Sequence, residues 1–322
     1  MERVSCRLLL LVVLFSLAVG VPAQGPPGDA GKIVVEVAVV SLYCTVKDAE
    51  GHLATNLSAA DFQIHEDGQR QQLRYFNRET NRPLRLALLV DTSMSQKEVL
   101  PAEKETAGRF LRQILRPTDQ ALVMSFDVNV EVWQELTPET ARLQWALNRL
   151  MVSNTPRANP GEKMPAKMGG THLYDAIAKA AEKLAKAQER KVIIVISDGV
   201  DSGSRSTENQ ALEAAQRAEA ILYLIRFTDP AFYWRLTNQP GGGDEVLRRL
   251  AAETGGRVLF PARTQHLAQA FDQIAEELRS QYSLGYTPTN RSRDGRFRRI
   301  ELRVARSGYK VLARSGYFAP RQ

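Results

Sequence analysis

Two apolar runs, each leading into an aspartate, constrain the fold of this chain more than any other feature. Leu86 to Val90 is followed at once by Asp91, and Val192 to Ile196 leads through a serine to Asp198. Strands without polar residues are typical of parallel sheets that are covered by helices on both faces. In open α/β sheets, ligands bind at the carboxyl ends of the strands. The two runs therefore predict an α/β fold with a binding edge at these aspartates.

The first run ends in a pattern of oxygen-bearing side chains. Asp91, Ser93 and Ser95 alternate along the chain, so an extended turn can bring their oxygens to one point. A carboxylate and two hydroxyls suit a hard cation such as Mg²⁺. The alternative interpretation is a strand, a turn and a serine that caps the next helix, which would begin over residues 95–98.

Two later residues favour the metal interpretation. Thr171 follows a pair of glycines and opens a predicted helix, and Asp198 ends the second buried strand. Here the chain resembles the von Willebrand factor A family, over about residues 82–281. The metal-ion-dependent adhesion site of that family is D-x-S-x-S followed by a later threonine and a later aspartate. All five positions are matched, by Asp91, Ser93, Ser95, Thr171 and Asp198.

The resemblance implies an adhesion-type site that holds Mg²⁺, or Mn²⁺ or Ca²⁺. Ser93 and Ser95 would coordinate the cation through their hydroxyls, Thr171 would join them when a ligand is bound, and the aspartates would act directly or through water. The open coordination position would take an Asp or Glu carboxylate of a partner protein. A vestigial site in a folded domain is the alternative.

Three further residues are candidates for the rim of this site or for positions just behind its ligands. They are Asp127, His172 and Asp175. The plainer interpretation places His172 in the first turn of a helix and gives the two aspartates capping roles.

The order of predicted elements divides the chain into segments. Residues 82–281 alternate strands and helices, which predicts a doubly wound, mainly parallel, Rossmann-like sheet. The blocks at 33–80 and 282–319 read as β-strands, with a hairpin turn at Asp67-Gly68, and each is too small to hold a core alone. We therefore expect them to pack together as a small β-sandwich-like domain, with the α/β domain inserted between them.

The N-terminus predicts export. Arg3 and Arg7 precede an apolar run over residues 8–19, and Ala23 ends a cleavage site of small residues. Residues 1–23 are thus a predicted signal peptide and 24–32 a flexible lead, which places the protein in the periplasm or outside the cell. An uncleaved anchor is the alternative. Cleavage leaves Cys44 without an internal disulfide partner, as a predicted buried hydrophobic residue.

Composition and motifs argue against other classes of function. The net charge of +7 is spread along the chain, so we expect no nucleic-acid partner. The four histidines lack metal-ligand spacing, and no serine nucleophile motif occurs, so we expect no enzyme. The remaining alternative is a structural part of an envelope assembly, in which the metal only stabilises the fold. The loops at 151–170 and 228–243 have the length of functional or mobile segments.

Overall fold

The computed structural model describes residues 39–78, 82–152, 170–227 and 243–321. The strands are β1 (Val40–Lys47), β2 (Phe62–Glu66), β3 (Gln69–Gln71), β4 (Leu73–Arg78), β5 (Leu84–Asp91), β6 (Gln120–Phe126), β7 (Val130–Thr137), β8 (Arg190–Ser197), β9 (Ala220–Arg226), β10 (Val258–Leu259), β11 (Tyr282–Tyr286), β12 (Phe297–Val304), β13 (Lys310–Ala313) and β14 (Gly316–Phe318). The α-helices are α1 (Leu100–Ile114), α2 (Thr140–Arg149), α3 (Leu173–Ala185), α4 (Glu208–Arg217), α5 (Asp244–Thr254) and α6 (Thr264–Arg279).

The central sheet has six strands in the order β10-β9-β8-β5-β6-β7. Its pairs are parallel except the last, in which β7 runs antiparallel to β6. The predicted doubly wound, mainly parallel sheet is confirmed, and β7 is the antiparallel edge strand. The two apolar runs of the sequence are neighbours in this sheet, with Val90 opposite Ile196.

Helices cover both faces of this sheet, which is why its central strands carry apolar side chains throughout. On one face, α1, α2 and α6 contribute Phe110, Leu111, Leu143, Leu147, Phe271 and Ile274. On the other face, α3, α4 and α5 contribute Ile177, Leu184, Leu212 and Leu250.

The chain leaves β5 and β8 in opposite directions. After β5 it enters α1 on one face of the sheet, and after β8 it enters α4 on the other face. A crevice forms where neighbouring strands diverge in this way, and ligands of doubly wound proteins bind there. The carboxyl ends of β5 and β8 are therefore the expected location of a site.

The start of α1 differs from the prediction. A helix was expected to begin over residues 95–98, whereas Met94–Gln96 form a short 3₁₀ turn and the α-helix begins at Leu100. Pro101 lies in the first turn of α1, where its missing N–H costs no hydrogen bond. The polar turn before it is thereby separate from the helix.

The strands on either side of the α/β region pair with one another. β1 pairs with β11, and β2 pairs with β12, both antiparallel. They belong to two four-stranded sheets with the orders β13-β1-β11-β4 and β14-β12-β2-β3. These sheets share a core that includes Leu42, Cys44, Ile64, Leu284, Ile300 and Tyr317.

The turns and strands of these two sheets agree in part with the predictions from the sequence. Asp67 and Gly68 turn between β2 and β3 with φ of 47° and 80°, as predicted for a hairpin. Cys44 is fully buried, as expected, and burial raises the pKa of its thiol. β14 lies within the block 282–319 that the sequence predicts as β-strands, but no pattern marks its bounds. It is three residues long, too short for a period-2 pattern to be recognised.

Several predicted segments lie outside the described residues: the signal peptide at 1–23, the lead at 24–32, the start of the first strand at 33–38, and most of the loops at 151–170 and 228–243. Within the described ranges, no helix combines the length and the apolar character that crossing a membrane requires.

A buried ion cluster ties the end of α6 to the neighbouring strands. The Glu277 side chain is 1% exposed, and its Oε1 lies 2.9 Å from Lys47 Nζ and 2.6 Å from Arg257 Nε. Next to it, the Arg190 guanidinium donates a hydrogen bond of 2.6 Å to the carbonyl of Leu278. Lys47 belongs to β1, so the cluster joins the helix to the sheet formed by the terminal strands.

We expect Glu277→Gln to destabilise the protein. The variant keeps the size of the side chain but leaves Lys47 and Arg257 close together without a counter-charge. Removing one partner of a buried ion pair costs about 3–5 kcal/mol, and partial exposure of the two cations reduces this to roughly 2–3 kcal/mol. Urea unfolding measures the loss. The control is Glu301→Gln, in the exposed pair with Arg303, which we expect to change little. Equal losses in both variants would contradict the prediction.

Candidate metal centre

Two buried carboxylates lie at the carboxyl edge of the central sheet. Asp91 is the last residue of β5, and Asp198 directly follows β8. Because these strands are parallel neighbours, both side chains reach the same crevice. Asp91 is 0% and Asp198 is 1% exposed. Carboxylates are rarely buried to this extent without a cation or several hydrogen bonds.

A chain of hydrogen bonds joins four of the five predicted ligands. Ser95 Oγ donates to Asp198 Oδ2 at 2.5 Å, and the hydroxyls of Ser95 and Ser93 share a hydrogen bond of 3.0 Å. The backbone N–H of Ser93 donates to Asp91 Oδ1 at 2.9 Å. The turn after β5 thus brings both serine hydroxyls between the two aspartates, as the alternation of residues predicts.

Ser197 is a member of this network that the sequence interpretation missed. Its hydroxyl donates to Asp91 Oδ2 at 2.6 Å and accepts a hydrogen bond of 3.0 Å from the N–H of Gly199. Gly199 has φ of 84°, which allows the chain to turn sharply after Asp198. The available signal was a polar residue at the end of an otherwise apolar strand.

Thr171 is placed by a β-bridge. Its N–H donates to the carbonyl of Ser202 at 3.0 Å, and the N–H of Ser202 donates back to its carbonyl at 2.9 Å. Thr171 is 7% exposed and immediately precedes the first turn of α3. Within the described ranges, no hydrogen bond joins its side chain to the other four residues.

The acidic side chains in the crevice are buried close to one another, which disfavours their ionised forms. Burial, together with the charge of Asp198, raises the pKa of Asp91 to about 7. Glu103 on α1 is 0% exposed, and burial with the charges of Asp91 and Asp198 raises its pKa well above the ordinary value. Three acidic side chains thus lie in one poorly solvated region.

The sequence analysis also did not identify Glu103, although the spacing of residues in the helix places it on the buried face. It lies on the same face of α1 as Leu100 and Ala107, at helical spacing. With the side-chain amide of Gln96 turned so that its nitrogen faces inwards, that nitrogen donates to Glu103 Oε1 at 3.3 Å and to the carbonyl of Phe227 at 3.2 Å. Glu103 therefore contacts the 94–96 turn that carries Ser95.

Asp127 and His172 are linked to each other. The N–H of His172 donates to the carbonyl of Asp127 at 2.8 Å. The carboxylate of Asp127 accepts hydrogen bonds from the hydroxyl of Thr92 at 3.0 Å and from the N–H of Asn129 at 2.8 Å. This contact with the residue between Asp91 and Ser93 puts Asp127 beside the network.

Asp175 holds the loop after β8. Its carboxylate accepts hydrogen bonds from the N–H groups of Arg205 at 2.9 Å and Ser206 at 2.8 Å. Although burial alone would raise it, these hydrogen bonds keep the pKa of Asp175 below its ordinary value. The geometry gives Asp175 a role in fixing the loop that carries Ser202.

The residues of the crevice suit a hard divalent cation. All five predicted ligands offer oxygen atoms, and a cation would offset both the burial of the charge on Asp91 and its repulsion by Asp198, which together raise the pKa of Asp91. The described residues hold no cluster of three or more His, Cys, Asp or Glu side chains with metal-binding geometry. Three of the five candidate ligand residues instead offer a hydroxyl group.

A family model agrees with this geometry. Residues 86–200 match the model of the von Willebrand factor type A domain, and the matched stretch contains all five candidate ligands. Residues 86–200 thus resemble a von Willebrand factor type A domain, and the α/β region that contains them is called the A domain below. Domains of this family often bind a divalent cation, and most are interaction modules and not enzymes.

Solved structures resemble the chain at low sequence identity. BatB from Bacteroides thetaiotaomicron is 16% identical, with 60% of this chain and 99% of that chain covered and a TM-score of 0.43. The vWF domain of the type V pili tip protein Mfa5 from Porphyromonas gingivalis is 15% identical, with coverage of 61% and 94% and a TM-score of 0.45. A von Willebrand factor type A protein from Catenulispora acidiphila is 14% identical, with coverage of 87% and 74% and a TM-score of 0.47. No curated protein matches the sequence.

We expect Asp91→Asn to stabilise the A domain when EDTA removes metal. The amide keeps the shape of the side chain and removes a buried charge beside Asp198. Because folding raises the pKa of Asp91 from 3.8 to about 7, its ionised form opposes folding fully above pH 7. This penalty fades as the pH falls from 7 towards 3.8, since the folded protein takes up the proton first.

The measurement is the thermal unfolding midpoint of both proteins in EDTA between pH 8 and pH 4. The advantage of the variant should be greatest at pH 8 and should shrink on acidification. Asp272→Asn, at an exposed aspartate of α6, is the control and should follow the parent throughout. A variant less stable than the parent at pH 8 would refute the prediction.

Proposed function

We propose that the A domain binds a partner protein through a divalent cation held by Asp91, Ser93, Ser95, Thr171 and Asp198. The observation that carries this proposal is the hydrogen-bonded network at the divergence of β5 and β8, in which the hydroxyls of Ser93 and Ser95 and the backbone N–H of Ser93 link the two buried aspartates. Such a set of oxygens in a crevice suits Mg²⁺ or Mn²⁺.

The burial of these residues supports an outward-facing site. The aspartates are almost fully buried, whereas Ser93, Ser95 and Thr171 are 8%, 6% and 7% exposed. The hydroxyls thus retain slightly more contact with solvent than the carboxylates do. A partner would approach from the side of the hydroxyls.

A bound cation would attract an anionic oxygen. The protein's own residues hold the cation and position it: Ser197 and the N–H of Ser93 orient Asp91, and Val200 N–H orients Asp198 through a hydrogen bond of 3.0 Å. Hydroxyl ligands leave more positive charge on the cation than carboxylates would. An Asp or Glu side chain of the partner is therefore the expected ligand.

We expect the purified protein to bind Mn²⁺ and Mg²⁺ saturably in isothermal titration calorimetry, and Ser95→Ala to weaken this binding. The matched control is Thr92→Ala. Its hydroxyl donates to Asp127 and to the carbonyl of Phe126, so its loss leaves the five ligands in place. Equal binding by Ser95→Ala and the parent would contradict the assignment of Ser95.

The partner is sought with the parent, the Thr92→Ala control and Thr171→Ala, because Thr171 is expected to join the cation when a ligand is bound. Immobilised parent and Thr92→Ala should retain a protein from envelope extracts in Mg²⁺ and release it in EDTA, while Thr171→Ala should retain none of it. A partner retained equally in EDTA would favour the alternative in which the metal only stabilises the fold.

We also propose that the protein acts in the periplasm or outside the cell. The basic, apolar and small-residue sequence of residues 1–23 supports export. The expected result is a mature chain that begins at Gln24 in the periplasmic or extracellular fraction, measured by intact mass. A cytoplasmic chain that retains Met1 would exclude this location.

A further inference from the structure

The edges of both four-stranded sheets meet along one short stretch of chain. β3 is the last strand of one sheet and β4 is the last strand of the other, with Gln72 between them. β3 pairs only with β2, and β4 pairs only with β11, within the described ranges. The outer backbone groups of both strands therefore have no strand partner there, and an unpaired edge is a template for a further strand.

A cavity of about 630 Å³ opens along this edge. Its lining includes Phe62 and Ile64 of β2 and Leu73 and Phe76 of β4. The rings of Phe62 and Phe76 lie 5.7 Å apart, so part of the aromatic core of the sandwich reaches the cavity. Tyr75, which also lines it, is 60% exposed. The cavity thus offers apolar contacts to a side chain that enters between the sheets.

The rim of this cavity is basic. Arg70 and Arg74 line it, and Arg78 lies two residues beyond Phe76, on the same face of β4. All three arginines are exposed. Within the described ranges, none of their side chains makes a hydrogen bond or an ion pair.

Three arginines elsewhere in or beside these sheets have acidic partners. Arg298 binds Asp294, Arg306 binds Asp61 and Arg314 binds Glu219, at 2.9, 2.6 and 3.0 Å. The described residues that line the cavity include Arg70 and Arg74 and no aspartate or glutamate, so the open edge is positively charged. It would repel the same edge of a second copy of this chain and attract an acidic segment.

We propose that the β3–β4 edge binds an extended acidic segment of a partner protein. The segment adds as a strand beside β4, places an apolar side chain against Phe62 and Phe76, and places carboxylates on either side of it near Arg74 and Arg78. This surface is separate from the metal centre, and its binding does not require a cation.

The probe is a short fluorescein-labelled peptide with two glutamates four positions apart, a valine midway between them, and serine and threonine elsewhere. Fluorescence anisotropy in EDTA measures its affinity, so that no cation can hold its carboxylates at the A domain. The parent should bind this peptide at least about tenfold more tightly than a counterpart with lysines in place of the glutamates.

The charge-reversed variant R74E/R78E should lose the glutamate peptide and gain the lysine peptide. The matched control is Arg109→Glu, an exposed arginine of α1, which should behave as the parent does. If Arg109→Glu weakened binding as much as R74E/R78E does, net charge would explain the effect and the proposal would be overturned.

Hydrogen exchange on the parent provides a test that does not depend on the folding of any variant. The glutamate peptide should slow exchange of backbone N–H groups in residues 69–78. Equal affinity of the parent for both peptides, or unchanged exchange in this stretch, would mean that the arginines only protect the edge from pairing.

Discussion

The parallel pairing of β5 with β8 is the constraint on which the candidate site depends. Parallel strands end at the same edge of a sheet, so residues more than a hundred positions apart in the sequence become neighbours. The Ser197 hydroxyl, for example, lies 2.6 Å from Asp91 Oδ2. The divergence of the following helices then leaves a crevice between the strand ends. Without this pairing, the D-x-S-x-S turn would be an ordinary polar turn before a helix.

The same pairing forces two carboxylates out of water, with a third on α1. Serine hydroxyls and backbone N–H groups offset part of that cost, but they do not remove the burial and the repulsion by Asp198 that raise the pKa of Asp91. Binding sites commonly retain such unfavourable charge, because a ligand of opposite charge is then bound more strongly. Under the proposed function, the stability of the A domain and affinity for a cation would thus place opposing requirements on the same residues.

The sequence alone identified the residues whose chemistry is local. Apolar runs, the alternation of Asp91, Ser93 and Ser95, and the glycine at the Asp67-Gly68 turn are patterns within a few positions, and the fold class followed from them. The hydrogen bond from Ser197 to Asp91 depends instead on which strands are neighbours, which no local pattern encodes. Glu103 lies on the apolar face of α1, but the sequence does not show that this face lies near Asp91 and Asp198.

The inserted position of the A domain has a consequence for how such a chain can arise. Arg78, at the end of β4, lies directly opposite Tyr282, at the start of β11. The chain thus leaves and re-enters the same sheet at adjacent points, as it would in a hairpin whose turn has been replaced by about two hundred residues. A sandwich built in this way keeps its register whatever length of chain joins the two strands. Recombination could therefore insert, exchange or delete the entire A domain at this junction without rearranging the sheets that carry it.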